Sequence, residues 1–545
     1  MKVVIVGGVA GGAGCAARLR RNDESAEIVM LEKGDHISFA NCGLPYYIGG
    51  IIEDEDKLLL QTPESFRKRF AVDVRVGHAC TAVDPVAKTV TVADQKTGES
   101  YSESYDKLML SPGASPIRPL IPGIERAGVF TLRNIPDTMQ IKQYVDEYQP
   151  KTCAVIGGGF IGLEMAENLH HLGLRVTVIE AASHVIGPLD ADMAHDVHNY
   201  LRSKGIDLLL NKKAAAFTET SVILDSGREA AADMVIFSIG VRPDTGFLAE
   251  SGIARGTRGE IIVNEYLETS APDVYAVGDA IAVRHIVSGR QAMISLASPA
   301  NRQARIVADN ICGQGRKYSG AQGTAIIKLF DMTVALTGEN EDTLRALGTP
   351  YLKSITHSAS HAGYYPGGEM MTVKLLFDQG DGRVLGAQIV GGQGVDKRMD
   401  VLATAICANL TVFDLQELEL AYAPPFSSAK DPVNMAGYVA GNILEGKMQT
   451  FYIEDLASLP PDAQLLDVRS PGEYRRGSIP GAVNIPVDSL RAALDSLDQN
   501  KEYYLCCQVG LRAYIAESLL RQHGYKVKNL AGGYKSYKAA QDDLE

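Results

Sequence analysis

Tryptophan is absent from the 545 residues, and aromatic residues of all kinds make up only 7%. The eight cysteines (Cys15, Cys42, Cys80, Cys153, Cys312, Cys407, Cys506 and Cys507) include no C-x-x-C pair, and no Cys/His grouping has zinc spacing. That pattern speaks against both a structural metal and a disulfide framework. No apolar run approaches the ~20 residues a bilayer-spanning helix needs. The N-terminus offers one lysine and four apolar residues before Gly7, the pattern of a strand and not of a signal peptide. A reducing cytoplasm, with no membrane partner, is the expectation. Basic charge is also short: 53 Lys and Arg against 66 Asp and Glu leave a net charge of −13. A broad nucleic-acid or anionic-membrane surface is therefore not expected.

What is present is ordinary globular composition, 46% hydrophobic and 22% charged, in a chain long enough for three or four domains. Glycine, at 54 residues, is plentiful enough to prompt a search for phosphate loops. Lys2-Val3-Val4-Ile5-Val6 reads as a buried parallel strand, followed by Gly7-Gly8-Val9-Ala10-Gly11-Gly12, an Ala-rich helix to about Arg21, and a strand from Glu27 to Leu31 ending in Glu32 and Lys33. Glu32 stands twenty residues beyond Gly12, a spacing that lets it reach an adenosine ribose while the helix N-terminus holds a pyrophosphate. Val9 replaces the usual second glycine, so a purely structural βα turn remains the other reading. The second unit is complete. Cys153–Ile156 leads into Gly157, Gly159 and Gly162, a helix carrying Glu164 follows, and a strand Arg175–Ile179 ends in Glu180. Glu180 would bond a free 2′-hydroxyl and repel a 2′-phosphate, and no arginine follows it, so NADH is preferred to NADPH. Two fingerprints imply two dinucleotides, most sensibly one nicotinamide and one flavin.

The stretch Ser38-Phe39-Ala40-Asn41-Cys42-Gly43-Leu44-Pro45-Tyr46-Tyr47 carries a single cysteine. Pro45 suits the first turn of a helix. Cys42 would then lie just ahead of it, where the dipole favours a thiolate. A buried, inert cysteine is the alternative. Two further stretches, Leu108–Ala114 and Thr269–Ala280, are strands that end in glycine turns, the second in Gly278-Asp279.

Together these motifs resemble the two-dinucleotide-binding-domain flavoprotein disulfide reductases over roughly residues 1–445. The resemblance implies an α/β architecture: a discontinuous FAD-binding domain (1–115 and 250–325), an inserted NAD-binding domain (116–249), and an α+β dimerisation domain (326–445) of a homodimer. It assigns Gly7, Gly12, Glu32, Lys33, Ser111, Gly113, Gly278 and Asp279 to FAD, with Asp279 at the ribityl chain. Gly157, Gly159, Gly162, Glu164 and Glu180 go to NADH. Members resembling glutathione reductase carry a second cysteine five residues on; here Tyr47 stands there, and no resolving cysteine is near. A lone thiolate must share its redox equivalents with oxygen, as a sulfenate, or with an external thiol, as a mixed disulfide. The stretch around Cys42 most resembles coenzyme A disulfide reductases, which take the second route. That resemblance makes Gly14, Arg18, Arg21, Ser38, Asn41, Asn301 and Lys430 coenzyme A contacts. It also places Tyr364 and Tyr422 of one subunit at the active sulfur of the other, with Tyr365 as an alternative to Tyr364. Aromatic interface packing is the simpler reading of both tyrosines.

A new pattern begins after a linker at 446–455. Leu465–Ser470 and Tyr503–Cys506 read as strands, the latter running into Cys507-Gln508-Val509-Gly510-Leu511-Arg512 and a helix from Ala513. Such a loop surrounds the Cys507 sulfur with backbone N–H groups, and Arg512 and the helix dipole add to the stabilisation of an anion. Residues 456–545 resemble a single α/β rhodanese domain, in which Cys507 would carry sulfane sulfur as a persulfide; Cys506 should point the other way. The expectation is therefore an NADH-dependent flavoprotein reducing coenzyme A persulfide, polysulfide or coenzyme A disulfide at Cys42, with Cys507 handling sulfane sulfur. Two alternatives remain: an NADH oxidase or peroxidase using a Cys42 sulfenate, and a sulfur-sensing flavoprotein scaffold.

Overall fold

β-Branched runs build the centre of two parallel sheets in the computed structural model, which describes residues 1–544. The chain forms two units: residues 1–182 with 206–323, and residues 183–205 with the chain from Thr324 onward. In the first unit, Lys2–Val6 lies between Glu27–Glu32 and Lys107–Leu110, with Asp73–Val76 and Val274–Ala276 at the edges, all parallel. Val3, Val4 and Ile5 are fully buried. Continuous apolar strands of this kind are expected where a parallel sheet is covered on both faces. The second sheet repeats the design with Thr152–Ile156 at its centre, between Arg175–Ile179 and Met234–Phe237, with Asp207–Leu209 and Val129–Thr131 outside. Each half also carries a small three-stranded antiparallel sheet, 78–104 in one and 214–231 in the other. Ala114–Pro116 and Val241–Pro243 pair antiparallel where the chain passes between the two parallel sheets.

The second unit holds an antiparallel sheet in the order Ala325–Leu329, Met332–Gly338, Val384–Gly391, Met370–Asp378, Tyr351–Ala359. Helices Val395–Cys407 and Pro432–Leu444 belong to the same unit. Helix Ala191–Ser203 is joined to this sheet by Lys374, whose fully buried ammonium meets Asp190, Asp192 and Glu341. One buried cation would be costly, but three carboxylates and their hydrogen bonds compensate it. Lys374 and Lys353 hold the Glu341 carboxyl down at about 2 against the desolvation that opposes them. The C-terminal sheet is parallel, in the order Thr450–Phe451, Lys526–Leu530, Glu502–Cys506, Gln464–Asp467, Val483–Asn484. Its first strand and the start of the 3-10 helix Ile453–Ser458 fall within the stretch 446–455 expected to be linker. Among the described residues, no helix is long and apolar enough to cross a membrane.

Candidate active sites

At the carboxyl ends of the first sheet, where open α/β sheets bind ligands, the glycines converge. A Cβ on Gly7, whose φ is +93°, would lie 2.0 Å from the Ser111 carbonyl oxygen, and one on Gly278 only 3.7 Å from Ser111 Oγ. Glu32 is already oriented: Gly8 N–H donates to Oε2 at 2.7 Å and Gly34 N–H to Oε1 at 2.8 Å. The second fingerprint is built alike, with Gly158 and Ala182 N–H groups each donating to Glu180 at 2.7 Å. Each acid keeps lone pairs for a ribose hydroxyl. Gly157 and Gly162 are demanded by packing, since a Cβ on either would meet backbone at 2.5 and 2.0 Å. Gly159 is different. A Cβ there would touch nothing within 4 Å, so its lack of a side chain clears space outside the protein for a pyrophosphate to approach the backbone. The residues present therefore fit a dinucleotide at both turns.

Cys42 lies in the 3-10 turn Asn41–Gly43, directly ahead of helix Leu44–Ile48 with Pro45 in its first turn, and it is exposed. Placement matches expectation; electrostatics do not. The thiol is pushed above its ordinary value, first by desolvation, then by the charges of Glu164 and Asp279. A five-residue helix supplies too little dipole to offset two carboxylates. Glu164, raised to about 7 by its burial, accepts a hydrogen bond from the Tyr46 hydroxyl at 3.3 Å. Asp279 pairs with Arg133 at 3.5 Å, and the Arg133 guanidinium also lies where a Cβ on Gly113 would be. Tyr46 and Arg133 escaped sequence reasoning. Tyr46 stands one helical turn beyond Cys42, a signal that was available; Arg133 had none. Lys33 is bonded to Asp244.

Of the expected coenzyme A contacts, Gly14 and Asn301 come together on the packed helices Ala10–Asn22 and Ala297–Ile311: a Cβ on Gly14 would lie 3.6 Å from Asn301 Oδ1. Arg18 Nε donates to the fully buried Asp309 at 2.8 Å, committing one of its five N–H donors. Arg21 is exposed, Ser38 is held in a left-handed turn at φ 46°, and the buried Asn41 Oδ1 has no hydrogen-bond partner. An orphaned acceptor beside Cys42 is the kind of atom a ligand satisfies.

The second unit holds the rest. The Tyr364 and Tyr422 hydroxyls are 2.6 Å apart with both rings exposed, whereas the Tyr365 ring packs edge-on to His361. Tyr422, His361 and Phe426 line a cleft of about 450 Å³ with Lys397 and Arg398. Lys430 is exposed, immediately before the Asp431 cap of helix Pro432–Leu444. In the C-terminal domain, Gly510 N–H donates to Cys507 Sγ at 3.1 Å, and helix Leu511–Gln522 begins directly after that glycine. Arg512 is clamped by Glu473 at 2.6 and 2.7 Å, which holds that carboxyl far below the usual range. Cys506 is fully buried and its thiol is pushed well up by desolvation, consistent with an inert neighbour.

The pyridine nucleotide-disulphide oxidoreductase profile matches residues 1–304, its dimerisation domain 324–432, and the rhodanese-like domain 453–540. The chain belongs to the pyridine nucleotide-disulphide oxidoreductase family and carries a rhodanese-like domain after the dimerisation domain. Within that family it is 39% identical over 443 residues to the coenzyme A disulfide reductase of Staphylococcus haemolyticus, covering 81% of this chain and all of that protein. Among solved structures, reduced Bacillus anthracis CoADR-RHD superposes with a TM-score of 0.97 at 50% identity, over 99% of this chain and 98% of that one. An NAD-dependent persulfide reductase from A. fulgidus gives 0.93 at 36% identity, over 98% of this chain and 100% of its own.

Proposed function

We propose that this chain is an NADH-dependent flavoprotein that reduces coenzyme A persulfide, polysulfide and coenzyme A disulfide at Cys42, and that its rhodanese domain carries sulfane sulfur on Cys507. The observation that carries this reading is the solitary Cys42, beside the orphaned acceptor of Asn41, in a chain that also holds Cys507 with the Gly510 N–H donating to its sulfur. FAD would be held by Gly7, Gly12, Glu32, Lys33, Ser111, Gly113, Gly278 and Asp279, and NADH by Gly157, Gly159, Gly162, Glu164 and Glu180. When bound, the flavin takes hydride from NADH and delivers two electrons to a thiol–disulfide couple.

The Cys42 thiolate attacks the thiol-side sulfur of a coenzyme A persulfide. The Cys42–S–S–CoA bond forms, the sulfur–sulfur bond of the persulfide breaks, and HS⁻ leaves. With coenzyme A disulfide the leaving group is the coenzyme A thiolate. Two electrons originating in NADH return the mixed disulfide to Cys42 thiolate and free coenzyme A. Gly14, Arg18, Arg21, Ser38, Asn41, Asn301 and Lys430 bind the coenzyme, with cations suited to its phosphates. Desolvation, with the charges of Glu164 and Asp279, holds Cys42 toward the thiol. Tyr364 and Tyr422, in a homodimer, protonate or stabilise the departing sulfur. Cys507 accepts sulfane sulfur as a persulfide and passes it to a coenzyme A thiolate, regenerating its own thiolate and yielding coenzyme A persulfide. Arg512, fixed by Glu473, and the Gly510 N–H stabilise the Cys507 anion. The reading places the enzyme in a reducing cytoplasm.

An oxidase or peroxidase with a Cys42 sulfenate would need neither the coenzyme A contacts nor the rhodanese loop. Replacing Cys42 tests whether the reduction runs through its sulfur. Cys42→Ser should lower disulfide- and persulfide-driven NADH oxidation by at least about a thousandfold, while NADH still bleaches the flavin absorbance. Wild-type turnover in that variant would overturn the reading.

A further inference from the structure

Asp543 sits against one face of helix Ala191–Ser203. Its Oδ2 lies 2.6 Å from His195 Nδ1 and 2.7 Å from His198 Nδ1, and Arg202 Nη1 donates to Oδ1 at 2.5 Å. Asn199, on the same face, donates to the Ala539 carbonyl at 2.7 Å. The Asp543 side chain is only 7% exposed. Val185 N–H donates to His198 Nε2 at 3.1 Å, so this ring keeps its proton on Nδ1 and gives it to Asp543. The group is a hydrogen-bonded clamp and not a cation site, because Arg202 already neutralises the carboxylate and the second nitrogen of His198 is taken.

Asp543 belongs to helix Gly533–Leu544, whose other end holds the sulfur loop. Tyr534 N–H donates to the Cys507 carbonyl at 2.7 Å and Lys535 N–H to the Gln508 carbonyl at 3.0 Å. Lys535 Nζ also reaches Thr372 at 3.0 Å and Asp196 at 3.4 Å. One rigid element, roughly 18 Å long at 1.5 Å per residue, therefore has the persulfide loop at one end and the Asp543 clamp at the other. Contacts between domains of one chain ordinarily permit relative motion. A buried carboxylate with three donors, one of them charged, opposes that motion with charge-assisted bonds.

We propose that Asp543 is a positioning residue for sulfur transfer: by clamping helix Gly533–Leu544 onto helix Ala191–Ser203 it fixes where Cys507 presents its sulfur. This rests on the function proposed above. The test measures hydrogen exchange of both helices in Asp543→Ala, together with NADH oxidation driven by polysulfide plus coenzyme A and by coenzyme A disulfide. Exchange should quicken about tenfold in both helices at once. The polysulfide-driven rate should fall about tenfold with the coenzyme A disulfide rate unchanged, and Asp543→Glu should recover part of each loss. Arg202→Ala opens the clamp from the other side without touching the rhodanese sequence and should repeat the pattern more weakly. Unaltered protection of Ala191–Ser203 in Asp543→Ala, an unaltered polysulfide-driven rate, or a silent Arg202→Ala would overturn the proposal. Should the function itself be misread, the wild-type protein would show no Cys507-dependent, polysulfide-driven oxidation, while the exchange data would still report on the clamp.

Discussion

Cys42 could be singled out in the sequence because a lone cysteine ahead of a Pro-containing helix is visible there, and the structure sets it in a turn directly before that helix. Its electrostatics were not legible. Glu164 and Asp279, the two acids that raise its thiol, lie far along the chain, and only the fold brings them near. The sign follows simply: a carboxylate disfavours a neighbouring thiolate, so removing one must make the thiol more acidic. Glu164→Gln should shift the pH profile of Cys42 alkylation by iodoacetamide to lower pH; an unmoved or upward-shifted profile would mean Glu164 does not act on Cys42. At the second sulfur site the sequence distinguished Cys506 from Cys507 by strand alternation alone; both are buried, but Gly510 N–H donates to Cys507 Sγ, whereas desolvation pushes the Cys506 thiol well up. Cys507→Ser should slow polysulfide-driven turnover and leave coenzyme A disulfide reduction intact, measured side by side as NADH consumption.

Among elements, the two glycine turns and their terminal acids could be read directly, since strand, turn, helix and acid are local patterns with fixed spacing. Boundaries were harder. The fingerprint helix starts at Phe160, before the third fingerprint glycine, and Gly162 closes on Gly157 inside its first turn. Thr450–Phe451 became a strand although its own residues read as linker; its two residues are fixed by pairing with Asn529 and Leu530, a tertiary context that outweighs local preference. Gly533 is another position decided by packing: at φ +63° a Cβ would lie 2.6 Å from the Cys507 carbonyl oxygen. Gly533→Ala should cost about 1–2 kcal/mol from backbone conformation alone, with further loss from that contact, read as a lowered denaturant midpoint of the rhodanese transition. The buried Lys374 network makes the second unit acid-sensitive. Glu341 is held below its ordinary value, at about 2, so its contribution is complete above about pH 4.5 and disappears as pH falls toward 2. Glu341→Gln should flatten the acid limb of the stability curve in that window; an acid limb as steep as in the wild type would contradict the network's role.

At the scale of the whole molecule, two dinucleotide folds, a dimerisation domain and a rhodanese-like domain place a two-electron source and a sulfane carrier in one chain. That order could be read from the sequence because each module carries its own signature. The partnership between modules could not, since the Asp543 clamp joins residues 345 apart in sequence. The central claim is that Cys42 completes its redox cycle with an external thiol. Intact-mass spectrometry of the air-oxidised protein, with peptide mapping to Cys42, tests it most directly. The account predicts an adduct of coenzyme A mass on Cys42 that NADH removes; addition of one oxygen at that cysteine, with no coenzyme A adduct, would contradict it.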